Sequence, residues 1–198
     1  MTITTELPLH AEPMASTPEV MRWVLPTVRL PVGRLLKAPG ALGVLLDETP
    51  IEQAWCEPHS VNMRLRPDAS WRQHGAAVRT ALREAVAEVT LWRTDDDRDM
   101  VLRTVVGDVL AGPVGAYITS HGGQVDIDSV IDETVTLRFC GACGHCDLAG
   151  VTLHRRIETA VRERYPDLHA ITAAGIPTSR FGAWFRRAED RNGPGNRW

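Results

Sequence analysis

The chain has 198 residues, 24% charged and 43% hydrophobic, with a formal net charge of -3 and four cysteines, three of them clustered at Cys140, Cys143 and Cys146. That length suits one mid-sized domain or two small ones and buries a core without disulfides, so the clustered thiols need another explanation. The 22 basic residues, among which Lys37 is the only lysine, are outnumbered by 25 acids, which excludes a global basic field for nucleic acid or an anionic membrane.

Residues 1–16 are polar, carry Pro8 and Pro13 and lack periodicity, so they read as a flexible tail. They have neither a basic n-region nor an apolar h-region, and no later stretch approaches the run of about 18 apolar residues that spans a bilayer. The expectation is a protein of the reducing cytoplasm. Residues 17–94 form the first globular segment. Residues 21–25 and 61–65 are strand candidates, closed by Pro26 and Pro67. Asp68 or Ser70 then caps a helix through Trp71, Val78, Leu82, Val86 and Val89. This segment has a core but no catalytic constellation, and Cys56, beside Trp55, reads as a core or loop thiol.

The acidic run at 95–99 marks a linker. Over 100–118, Leu102, Val105, Val106, Val109 and Leu110 recur at helical spacing, and Gly112, Pro113 and Gly115 kink or restart the helix. Gly122 and Gly123 end it, with His121 helping to close the last turn. Val125, Ile127, Ser129 and Ile131 share one strand face. Val135, Leu137 and Phe139 share another, with Thr134, Thr136, Arg138 and Cys140 opposite. The Asp132-Glu133 connection suits a hairpin, although neither residue is the favoured glycine. A helix over 148–165 sets Leu153, Ile157, Ala160 and Val161 on one side and His154, Arg155, Arg162 and Arg164 among its polar positions. Pro166 stops it, and 168–173 adds a short third strand. The expected fold class is α+β: two small α/β-layer domains, the second a helix–hairpin–helix–strand unit at 100–174. No internal repeat is present, and 175–198, rich in Gly, Pro and Arg, reads as a disordered tail.

Between the hairpin and the last helix stands FCGACGHCD. Cys143 and Cys146 form a CxxC pair at the mouth of a helix. At that spacing in a tight turn two thiolates converge on one soft cation or one cluster edge, and the helix N-terminus favours the thiolate form. Zinc sites, iron–sulfur sites and dithiol redox centres all use the pattern. A metal or cluster takes four ligands and the chain has no second CxxC. The rest come either from Cys140 and a histidine or from a second copy of the chain. Cys140 is an accessory ligand, a protective disulfide partner for Cys143, or a thiol filling a small pocket. His145 reads as a solvated loop residue, with accessory ligation as the sharper alternative.

Over 120–171 the chain presents a helix ending in His121-Gly122-Gly123, a hairpin, Gly141-x-Cys143-x-x-Cys146, Thr152-Leu153 and a Pro166-Asp167-Leu168 turn. This order resembles the C-terminal (Nfu) domain of NifU. Upstream, TPEVMRWVLP, PGALGVLL and SWRQHGAAVRTAL resemble the N-terminal domain of full-length Nfu proteins. The resemblance implies an iron–sulfur cluster scaffold or carrier with no catalytic residues. Cys143 and Cys146 of each of two subunits would together hold a [4Fe-4S] cluster, or a [2Fe-2S] cluster, at a homodimer interface. Upstream partners would be cluster-assembly or sulfur-donor proteins, and recipients would be apo iron–sulfur proteins; no nucleic-acid or membrane partner is implied. Arg155 or Arg156 is expected to offset cluster charge. The chain departs from the family in Asp147-Leu148, where proline and small residues often follow the second cysteine, in Gly115-Ala116 in place of Arg-Pro, and in the added Cys140.

Two other classes compete. Cys140-Gly141-Ala142-Cys143 follows a strand and precedes a helix, as a thioredoxin-like dithiol does, but no βαβ unit precedes the motif. The third class is a zinc-binding interaction module.

Overall fold

The computed structural model describes residues 7–47, 50–141 and 147–174. Cys143, His145, Cys146 and the tail expected at 175–198 lie outside the described residues. Within the stretch expected as a flexible tail, His10–Pro13 (β1) pairs antiparallel with Val20–Val24 (β2). The physical reason is anchoring: Leu9 and Met14 are buried, and the Met14 N–H donates to the Val20 carbonyl at 3.1 Å.

The chain continues through Gly33–Lys37 (β3), helix Gly40–Asp47 (α1), Ile51–Glu57 (β4), Ser60–Leu65 (β5), helix Trp71–Ala85 (α2) and Arg93–Thr94 (β6). These strands form an antiparallel six-stranded sheet in the order β1-β2-β5-β4-β3-β6. Strand alternation sorts its two faces. Trp23, Ala54, Cys56, Val61, Met63 and Leu65 join Leu42 of α1 and Val78 and Leu82 of α2 in one apolar core. Val20 and Trp55 belong to a second core, described below. The helix expected to reach Val89 ends at Ala85, and Val86–Leu91 tightens into a 3₁₀ turn.

Helices Arg98–Ala111 (α3) and Pro113–Ser120 (α4) bend by 52° at Gly112. Asp97, from the acidic run, caps α3 by accepting the Met100 N–H at 3.0 Å. Pro113 opens α4, where its missing N–H costs nothing. Gly115 permits the bend, since a Cβ there would stand 1.6 Å from the Leu110 carbonyl oxygen. Among the described residues no single helix is long and apolar enough to cross a membrane.

Gly123–Ile131 (β7) and Thr134–Gly141 (β8) pair antiparallel; helix Asp147–Arg164 (α5) then returns the chain to Ala170–Ala173 (β9), parallel to β8. The Asp132-Glu133 turn works without glycine although both residues have positive φ, 49° and 56°. The Asp99 carboxylate accepts both their N–H groups, at 2.9 and 2.8 Å, and the Glu133 side chain takes hydrogen bonds from Arg98 and Tyr165. These bonds hold a backbone conformation that neither side chain favours.

α3 lies between the two sheets. Val101, Leu102, Val105, Val106 and Val109 are all buried on one broad face of the helix, while Arg103 is exposed. Its core unites Val135 and Leu137 of β8 with Leu153, Ile157 and Val161 of α5, and reaches Met14, Val20, Val32 and Trp55 of the N-terminal sheet. The architecture is mixed α and β, as an α+β class requires.

Candidate functional site

The site is framed by β8 and α5. Register pairs Val125 with Phe139, Gln124 with Cys140 and Gly123 with Gly141, so β8 runs fully paired to its last residue. Val135 and Leu137 face the helices and are buried. Period two therefore turns Thr136, Arg138 and Cys140 to the opposite face, where Arg138 pairs with Asp128 and the Thr136 and Thr172 hydroxyls meet at 3.2 Å. Cys140 is half-buried, unbridged and part of neither apolar core. Residues 142–146, with Cys143 and Cys146, fall between this strand end and the start of α5 at Asp147, outside the described residues. Among the described residues no three His, Cys, Asp or Glu side chains converge on a metal position.

Cys56 is remote from this chemistry. It is fully buried in the N-terminal core, and burial, reinforced by the charge of Glu57, pushes its thiol far up, so it stays protonated. His121 occupies the C-cap of α4 and its ring lies 4.7 Å from that of Tyr117. Gly122, at φ 71°, takes the left-handed position that closes the helix. The Arg156 guanidinium stacks 4.5 Å over the Tyr117 ring. Arg155 and Arg156 lie about two turns, or ~12 Å, along α5 from Asp147, and the cysteines whose charge they are expected to offset lie outside the described residues.

Of the residues placed among the polar positions of α5, His154 is buried and Arg164 half-buried. His154 is 1% exposed, and burial lowers its pKa against the opposing pull of Glu158, whose Oε2 is 3.8 Å from Nε2. Arg164 reaches into the N-terminal sheet. Its Nη2 is 2.5 Å from Glu57 Oε1, its Nε donates to Glu57 Oε2 at 3.1 Å, and its Nη1 is 2.5 Å from Asp108 Oδ2. Glu57 also accepts from Arg22, Ser60 and Asn62. Asp108 takes the Ser16 N–H at 2.8 Å. Burial alone would raise both carboxyls. At Glu57 the charge and hydrogen bonds of Arg164, aided by Arg22, overcome that, and at Asp108 the Ser16 N–H does so together with Arg164, so both are held below the usual carboxylate range. Sequence reasoning missed this cluster, because its members stand 56 and 107 positions apart and leave no local signal.

Residues 106–172 match the family model described as NifU-like domain. The chain is similar to the Fe/S biogenesis protein NfuA of Azotobacter vinelandii, 31% identical over 90 residues that make up 45% of this chain and 46% of that protein. The NfuA of Idiomarina loihiensis is 37% identical over 73 residues, 36% of this chain and 37% of the relative. That of Stutzerimonas stutzeri is 36% identical over 90 residues, 45% and 46%. The match thus spans less than half the length of these relatives. The matched segment contains the α3–α4 bend, the β7–β8 pair, the CxxC segment and α5, and over these residues the chain is similar to the NifU-like domain.

Proposed function

We propose that the chain is an iron–sulfur cluster scaffold or carrier in which Cys143 and Cys146 are the cluster ligands. The observation that carries the reading is the placement of a CxxC segment, within a NifU-like domain, between a fully paired strand end and a helix start. The donor set fits the cargo: thiolates are the usual ligands of iron–sulfur clusters, and a helix N-terminus favours the anionic ligand set. Two thiolates per chain leave the four-ligand requirement half met, so a second copy completes it and the loaded form is a homodimer holding [4Fe-4S]. Ligands on a short segment that joins a strand to a helix suit a cluster that must leave again. The cluster is cargo from cluster-assembly or sulfur-donor proteins, bound for apo iron–sulfur proteins, and the chain itself needs no catalytic residue. Its domains are read as 17–94, Nfu N-terminal-like, and 100–174, cluster-binding, in the cytoplasm.

Anaerobic reconstitution with iron and sulfide tests the reading. The expected product has a thiolate-to-iron absorption band, a Mössbauer signature of [4Fe-4S] and the mass of a dimer. Cys143→Ser and Cys146→Ser each abolish loading, and Cys140→Ser does not. Loading that survives both serine changes overturns the site. Stoichiometric zinc in an aerobic monomer, or a reversible dithiol that needs Cys140 but not Cys146, replaces the reading with a zinc module or a redox protein.

A further inference from the structure

α4 and α5 leave an open groove of about 600 Å³ between them. Its floor and one wall are apolar, from Pro113, Val114, Tyr117 and Ala160, and Tyr117 is 42% exposed. Arg155 and Arg156 stand on the rim toward the start of α5, and Glu163 lies about two turns further along. Most arginines nearby are neutralised: Arg98, Arg138, Arg162 and Arg164 each have a carboxylate within 4 Å. Arg155 and Arg156 have none among the described residues, and Arg156 is held over Tyr117 by ring contact alone. They set two uncompensated cations beside an apolar trough in a chain of net charge -3. The register places this groove near the candidate site, because α4 ends at Ser120, shortly before Gly123, which pairs with Gly141 at the entry to the CxxC segment.

The geometry points to a docking groove for an acidic, apolar-anchored segment of the recipient protein, an inference that rests on the carrier reading and gives it a partner surface. Charge selects this occupant. The chain's own segment at 175–198 carries Arg180, Arg186, Arg187, Arg191 and Arg197 against Glu189 and Asp190, so it brings like charge to the rim. A second copy laid groove to groove would oppose four guanidinium groups across a two-fold axis. A partner segment with an apolar side chain over Tyr117 and carboxylates at Arg155 and Arg156 satisfies both features, and the cation–π pair pre-orders one of the two guanidinium groups. Glu163 sets polarity along the groove, because it repels a carboxylate at the other end.

The probe is an acidic apo-ferredoxin, used with the full chain. Its binding to the cluster-free chain is read by calorimetry at low and high salt, and cluster transfer is read from the loaded chain. Binding is expected to weaken with salt and to fall roughly tenfold in Arg155→Glu/Arg156→Glu. It should fall also in Tyr117→Ser and be kept in Arg155→Lys/Arg156→Lys. Transfer at limiting acceptor should slow in parallel while cluster content of the donor is unchanged. Circular dichroism of each variant reports folding, and the lysine pair guards against a misfolded charge reversal. No binding to the unaltered chain, or binding indifferent to the glutamate pair, overturns the groove. So does a tighter, arginine-dependent affinity for duplex DNA or phosphatidylglycerol vesicles. A chain that binds the probe through the groove but never loads a cluster sinks the carrier reading and leaves the docking surface standing.

Discussion

Arg164, the last residue of α5, and Glu57, the last residue of β4, meet across the two sheets with both carboxylate oxygens engaged, one at 2.5 Å and the other at 3.1 Å. Glu57 is wholly buried and the Arg164 side chain is 14% exposed, so water screens the pair little. Asp108 of α3 takes the remaining face of the same guanidinium. The helix that follows the CxxC segment is thereby fastened at its far end to the N-terminal sheet, and the two sheets share one core around α3. Arg164→Met leaves two buried carboxylates facing only Arg22 and neutral donors, and is expected to cost about 3 kcal/mol. Adding Glu57→Gln removes one stranded charge and should restore roughly half of that. Urea midpoints of the two single changes and the pair form a double-mutant cycle. A pair no better than Arg164→Met would show that the contact is not electrostatic.

The buried titratable groups predict how stability depends on pH. In the folded chain the pKa of Glu57 is depressed by Arg164, and that of Asp108 by the Ser16 N–H and Arg164. Their unfolded counterparts protonate near 4.3 and 3.9, so their contribution is complete above about pH 4.3 and is lost as pH falls through the depressed values. His154, lowered by burial, follows the same sign at higher pH. Its contribution is complete above its unfolded value of about 6.5 and erodes below it, where the unfolded chain takes the proton first. The urea midpoint should therefore stay level above about pH 7, decline gently from about 6.5 and drop steeply below about 4. His154→Gln flattens the gentle limb and Glu57→Gln the steep one. A midpoint constant from pH 7 to about 3.5 would contradict both assignments.

Thiol accessibility separates the cysteines without any cluster. In a Cys143→Ser/Cys146→Ser chain the remaining thiols are Cys56, buried with its pKa pushed up, and Cys140, half-buried on the outer face of β8. An aromatic disulfide reagent at pH 8 should label Cys140 under native conditions and Cys56 only when urea opens the core. Adding Cys140→Ser should leave no native labelling. Prompt labelling of Cys56 would mean that the N-terminal core opens far more readily than its packing implies.

How much of this was legible in the sequence follows from the range of the interactions. The faces of β8 could be read from Val135, Leu137 and Phe139 because alternation is local, and the α3–α4 break announced itself in Gly112 and Pro113. The thiol pair Cys143 and Cys146 was legible as spacing and resemblance alone. β1 was not legible, since it is a strand only because β2 and a buried Met14 hold it. Arg164 looked solvated on its own helix; its partner stands 107 positions away and no periodicity encodes such a distance. His154 failed for the same reason, with a polar side chain at a position that tertiary packing buries. The groove between α4 and α5 was equally invisible, because Tyr117 and Arg156 become neighbours only when the two helices pack.

Two glycines in adjacent helices should respond to alanine in opposite directions, which tests the α3–α4 bend directly. At Gly115 a Cβ would stand 1.6 Å from the Leu110 carbonyl oxygen and 2.7 Å from its carbon, both backbone atoms that cannot rotate aside. Gly115→Ala must therefore open the bend and is expected to cost about 3 kcal/mol, read as a lowered Tm. At Gly107, within α3, a Cβ meets nothing within 4 Å, so Gly107→Ala should raise stability by about 0.5–1 kcal/mol by restricting the unfolded chain. Because α4 supplies Tyr117 to the groove, Gly115→Ala should also weaken binding of the acidic probe, and Gly107→Ala should not. Equal effects of the two substitutions on Tm would mean that α3 runs into α4 without the close approach at Leu110.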